Sequence, residues 1–277
     1  MREVPLEVFL SFPPPNYDNP VTRGDALTIT HGVFMGIVIS VVGVRLYTRL
    51  AINRRLGWDD IWIIPATIFT VALAALVILS HTKYNWNKHI YDVPPSQIPQ
   101  LGKTAMAAKT LFTLAAVFTR QSLLSFYYRL IGETSLKHFR NVLHAATVFN
   151  VVTGIVFVAL CLFPCRPISA YWDFPAHGHC LDDGKTTLGA GIVNCICDLL
   201  TTTLPIPIIM QLRMPLKHRL GVAFLLSLGF IVTIAGIVRS FYVWKSMMAS
   251  YDETWYSYPL WIAGVVEIDL AVVCTPC

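Results

Sequence analysis

Charge is scarce in this sequence. Asp, Glu, Lys and Arg make up 13% of its 277 residues, against 55% hydrophobic residues. A soluble domain carries about 25% charged residues, so this chain lacks the charge to coat a water-facing surface of its size. Cysteine is absent before Cys161. A Gly-rich phosphate loop, HExxH and GxSxG are all missing, which removes the usual signatures of nucleotide binding, zinc proteolysis and serine hydrolysis. The first 25 residues are polar and Pro-rich (FPPPNYDNP), the reverse of the apolar core of a cleavable signal peptide. The net charge of +5 is modest and gives no reason to expect a nucleic-acid partner.

Long apolar runs are present instead. Seven lie near 27–47, 61–80, 104–128, 142–163, 187–210, 220–244 and 257–275. A helix needs roughly 20 residues to cross the hydrocarbon, and each run is about that length. The expectation is an all-α membrane protein: a seven-transmembrane helix bundle over 27–277, in contact with the lipid bilayer, after an extracellular segment 1–26.

Orientation follows from the loops. Segments 48–60, 129–141 and 211–219 hold nine Lys or Arg in 35 residues; the opposite segments hold eight in 84. Basic loops stay cytosolic, so an N-out/C-in arrangement is expected. Cys165 and Cys180 then bracket an outer loop, CRPISAYWDFPAHGHC. That side is oxidising, so a Cys165–Cys180 disulfide is predicted, with Cys161 as a rival partner for Cys180. The simpler reading of Cys161 is a small apolar residue of the fourth helix. Cys195, Cys197, Cys274 and Cys277 read as membrane-buried thiols. The CxxC spacing of the last two has no His or second CxxC nearby, so no metal site is expected.

Ionisable residues inside the runs are few and costly. A lone charge near the bilayer centre costs about 2.5–3.5 kcal/mol on insertion scales. Asp198 lies one helical turn after Asn194, on the same face. Glu267 and Asp269 lie in the last helix, about 200° apart at 100° per residue. Arg239 sits late in the sixth helix and Arg120 in the inner half of the third. Depth pairs Arg239 with Glu267 or Asp198. Two readings stand side by side: a ligand or ion site, and a buried polar network holding helices 3, 5, 6 and 7 together.

Two stretches carry a family resemblance. In YTRLAINRRLGWDDIWIIPATIF, an Arg-rich loop leads to Trp58, Asp59 and Asp60 at the start of the second helix. From CRP the chain runs through a loop Trp, a second Cys, N-x-x-x-D, LPIP and a basic loop, then IVRS, DETW and WIAGVVEIDLAVVCTP. In this order these motifs resemble the fungal rhodopsin-domain family of integral membrane proteins, including the SAT4 family and the Pth11-like receptor candidates, over about residues 25–277. Read from chemistry alone, Asp59 and Asp60 cap the second helix and meet the positive end of its dipole. The other reading of Trp58, Asp59 and Asp60 is a contact with a cytosolic signalling partner. Pro205 and Pro207 should kink or end the fifth helix.

The resemblance implies a receptor-like protein of the plasma membrane that senses a small-molecule or surface ligand. The last helix has no lysine, so covalent retinal is not expected, nor any other cofactor. Arg129 near the end of the third helix has no acidic residue before it and reads as a positive-inside anchor. No NPxxY-like sequence follows the last helix, and the sequence reaches Cys277 just after it, so the expectation is either a receptor without the usual cytosolic tail or a fragment of a longer chain. The alternative is an accessory or cyclase-like membrane protein of a fungal secondary-metabolite cluster, in which Asp198, Glu267 or Asp269 would protonate a substrate. A transporter is disfavoured because helices 1–3 do not repeat in helices 5–7.

Overall fold

The computed structural model describes residues 5–52, 54, 56–131, 137–172, 178–207 and 216–275. Among them are seven long helices. They are α1 (Ala26–Tyr47), α2 (Trp58–Lys83), α3 (Ile98–Ile131), α4 (Lys137–Leu162), α5 (Asp183–Thr203), α6 (Leu216–Trp244) and α7 (Glu253–Val273). A single turn, Leu6–Leu10, precedes them. All except α5 are long and apolar enough to cross a membrane. The exception has a chemical cause: α5 carries Asp183, Lys185 and Asp198 together with Asn194 and five threonines. It also ends before Pro205, as a residue pair that withholds backbone donors requires. The rest of the apolar run to 210, like Arg213, lies partly outside the described residues.

The outer faces are apolar. Val148 and Ile155 on α4 and Ile234 and Ile237 on α6 are all exposed. Such faces suit lipid, not water. Inside, Leu73 and Val77 of α2, Phe112 and Ala115 of α3, and Tyr258 and Ile268 of α7 pack as one core with Leu27 of α1. The helices form a ring in chain order, with α7 also touching α2 and α3. The contact of α4 with α5 is sparse compared with those of α3 with α4 and of α5 with α6. On its other side α4 sits tightly: a Cβ on Gly154 would lie 2.7 Å from Val117 Cγ2 of α3.

One end of the bundle is roofed by loops. A two-residue antiparallel pair sets Cys165 opposite Cys180, and the two are joined as a disulfide, the predicted pairing. Cys161 is a free thiol. The α2–α3 loop folds over the start of α7. Asp252 caps α7 and also accepts a hydrogen bond from the Ile90 amide at 3.0 Å, and it lies 2.5 Å from His89 Nδ1. Trp86 Nε1 donates to Ser257 Oγ at 2.5 Å. Arg23 lies over the Trp255 ring at 4.2 Å.

Candidate functional site

Below this roof lies a cavity of about 140 Å³, walled by α3, α4, α5, α6 and α7. Trp86 and Ile90 reach it from the α2–α3 loop, and Phe112, Phe157, Met247 and Trp261 from the helices. An engineered apolar cavity of about 150 Å³ takes a benzene ring, so this space accepts a group of that order.

Its polar wall is Lys109 of α3. The ammonium is 2.7 and 2.8 Å from the two oxygens of Asp183 at the start of α5, and donates to Tyr171 OH at 3.3 Å. Tyr171 in turn donates to Asp183 at 3.0 Å. The roof loop, α3 and α5 thus share one closed polar triangle. Asp183 lies in the first turn of α5, where the helix dipole also favours a carboxylate.

The floor is formed by Asn194 and Arg239. Arg239 pairs with Glu267 through two bonds of 2.6 and 3.1 Å, both residues being buried. Its guanidinium also lies over the Phe112 ring at 4.5 Å. Gly236 makes room for this pair: a Cβ there would lie 3.3 Å from Glu267 Cδ and 2.8 Å from Cys195 Sγ.

The expected single network resolves into two hydrogen-bonded sets. Arg120 donates to Asp198 at 2.9 Å, to Asn194 at 2.5 Å and to Asn150 at 3.5 Å. Asp198 therefore belongs to Arg120, and depth alone had left it open to Arg239. Asn150 of α4 was not foreseen, although its sequence signal is plain: an amide in the middle of an apolar run. Lys109 had the same kind of signal, a single lysine in a run of alanines, threonines and leucines. Asp269 stands apart. It is buried, it does not line the cavity, and neither of its oxygens has a hydrogen-bond partner among the described residues. His31 on α1 is likewise buried with both ring nitrogens unpartnered.

At the opposite end, Asp59 and Asp60 are the buried centre of an ion cluster. Arg45 of α1 donates to Asp59 at 2.7 Å and to Asp60 at 3.0 Å, and all three are at most 2% exposed. Asp60 also accepts from the Gly57 amide at 3.1 Å, which is the capping role read from sequence. Ser122 of α3 donates to the Asp59 carbonyl at 2.7 Å. Arg129 lies 3.5 Å from Asp59, so its acidic neighbour comes from α2 and not from the residue before it. Trp58 is 72% exposed, turned away from this cluster.

An apolar-faced helical bundle with ion pairs buried between its helices defines the class: an integral membrane protein. Residues 44–277 match the fungal rhodopsin domain, and the chain belongs to that family. It is similar to wortmanamides biosynthesis cluster protein C of Talaromyces wortmannii, 26% identical over 216 residues, which are 76% of this chain and 58% of that protein. It is also similar to fugralins biosynthesis cluster protein 2 of Gibberella zeae, 30% identical over 116 residues, or 41% of this chain and 29% of that one. The match thus spans well under two thirds of either relative.

Proposed function

We propose that this protein is a receptor-like, seven-span protein that binds a small apolar molecule in the cavity beneath its disulfide-tied loop, without covalent retinal. Residues 1–26 and the disulfide lie outside, the basic loops inside, and the plasma membrane is the host bilayer. The observation that carries the reading is the state of the cavity's charges. Lys109 is held by Asp183 and Arg239 by Glu267. An acid catalyst needs a carboxyl that keeps its proton until the transition state; a carboxylate paired with a cation favours the ionised form. These walls suit binding better than protonation of a substrate.

The second reading is an accessory or enzymatic role in making a secondary metabolite. The names of the two relatives favour it. Ala105→Trp, which fills the cavity from α3, separates the two in the native fungus. With the protein still present in membranes, we expect a cue-evoked cAMP or calcium response to be lost and the metabolite skeleton unchanged. Accumulation of an unprocessed precursor with normal signalling would overturn the receptor reading in favour of the enzyme.

A further inference from the structure

The cavity has a roof at one end and a floor of ion pairs at the other, which leaves the question of how it fills. We propose that its ligand is a neutral, lipophilic molecule that enters sideways from the bilayer, through the seam between α4 and α5, and places one hydrogen-bonding group at Lys109, Asp183 and Tyr171. This rests on the binding function proposed above and adds to it the ligand class and the path.

Three observations converge. The first is the roof. Trp86 and Ile90 cover the cavity from a loop fastened to α7 by Asp252 and Ser257. Pro164 and Tyr171 cover it from the loop closed by the Cys165–Cys180 disulfide. Among the described residues, both loops thus cover the cavity on the disulfide side and both are fastened in place.

The second is the seam. Phe157, Leu160 and Cys161 of α4 and Thr186, Thr187 and Ala190 of α5 face the same cavity, yet the two helices barely touch. They are tied lower down, where Arg120 bridges Asn150 of α4 to Asn194 and Asp198 of α5. On its other side α5 is wedged against α6 and the turn after it: a Cβ on Gly191 would lie 3.0 Å from Ser240 Oγ of α6, and one on Gly184 would lie 3.1 Å from Met248 Cγ in the following turn, Lys245–Ala249. A Cβ on Gly189 would meet nothing within 4 Å. The sparsely packed stretch therefore lies in the half of the bundle nearest the disulfide, beside the cavity and next to apolar outer faces.

The third is charge. Lys109 and Asp183 cancel, and so do Arg239 and Glu267. An ionic ligand would have to break a pair and would also have to cross hydrocarbon alone. A neutral one with a carbonyl or hydroxyl meets neither cost. It can hydrogen-bond the triangle of Lys109, Asp183 and Tyr171, while Phe112 and Trp261 cover its apolar body.

Cys161 is a built-in reporter, because its free thiol lines the cavity on the α4 side of the seam. The test uses the full chain in phosphatidylcholine vesicles, with Cys195, Cys197, Cys274 and Cys277 changed to Ser. Two thiol probes are compared: N-phenylmaleimide, which partitions into the bilayer, and the water-confined anion methanethiosulfonate ethylsulfonate. Each rate is divided by the probe's rate with free cysteine. We expect at least a tenfold advantage for the bilayer probe. Val193→Trp, which adds bulk to α5 one turn after Gly189 and on the same face, from a position that does not line the cavity, should cut its rate at least tenfold. Equal normalised rates, or no effect of Val193→Trp, would overturn lateral entry and leave the binding cavity standing. Failure of both probes to reach Cys161 would overturn the accessible cavity itself and the binding function with it. A Cys161→Ser control identifies the labelled site, and an unchanged melting temperature of Val193→Trp shows that the seam variant is folded.

Discussion

The two ends of the bundle use buried charge in opposite ways. At the basic-loop end, Arg45, Asp59 and Asp60 close on one another, all three buried, and Ser122 and Arg129 add bonds from α3. At the disulfide end, Lys109 with Asp183 and Arg239 with Glu267 stand on the wall and floor of an empty space. The first arrangement joins α1, α2 and α3 rigidly. The second joins α3 to α5 and α6 to α7 at the edge of a cavity. One kind of interaction thus closes a packed joint at one end and lends polar groups to a cavity wall at the other.

The comparison breaks most visibly at Arg45. Arg45→Met leaves two buried carboxylates facing each other. Removing one partner of a buried pair costs about 3–5 kcal/mol, so a large fall in melting temperature is expected in detergent, followed by size-exclusion chromatography after heating. A small change would mean that Arg49, 3.8 Å from Asp60, and Arg129, 3.5 Å from Asp59, already satisfy the two acids, and the Arg45 joint would be redundant.

Next in size is the disulfide. Cys180→Ser opens a loop with a sequence separation of 15, and a closure of that length contributes about 3 kcal/mol. The melting temperature should fall, and Cys161 labelling by the water-confined thiol probe should rise as the roof loosens. A fall in stability without that rise would mean that the roof is held by Asp252 and Trp86 alone.

The smallest effect is expected from replacing a whole pair. Arg239→Met with Glu267→Leu exchanges a buried ion pair for apolar side chains, a swap that runs from neutral to stabilising by about 1–4 kcal/mol. The single Glu267→Leu change should instead cost about 3–5 kcal/mol. A double variant as unstable as the single one would show that Arg239 is held by more than Glu267, with Phe112 and the Arg120 set the first places to look.

Much of this was legible beforehand. The helix runs were set by hydropathy; the structure starts each of them one to six residues earlier, and α4, α5 and α7 end sooner than their runs. Where α5 stops was visible in Pro205 and Pro207. The Cys165–Cys180 bond followed from position in a loop bracketed by two cysteines. The site was legible only in part. Polar residues inside apolar runs named Arg120, Asn194, Asp198, Arg239, Glu267 and Asp269, because the cost of burying them demands partners; Asp269 has no hydrogen-bond partner among the described residues. The same logic applies to Arg45, Lys109 and Asn150, each of which finds its partner on another helix. Asp59 and Asp60 were placed correctly at a helix start, but a cap uses only local backbone. Their buried partner is 14 and 15 residues away on another helix.

The sequence by itself determined which segments are helical, which faces are apolar and that the chain belongs in a membrane, because these depend on composition and on a period of 3.6 residues. Only the tertiary structure decided which cation meets which carboxylate. Depth along the membrane left Arg239 with two candidate partners, Glu267 and Asp198, and the tertiary structure gave it Glu267 and gave Asp198 to Arg120. The cavity was decided there too. It lies between five helices, beside the sparse contact of α4 with α5, and no period or composition in one dimension records how closely two helices lie.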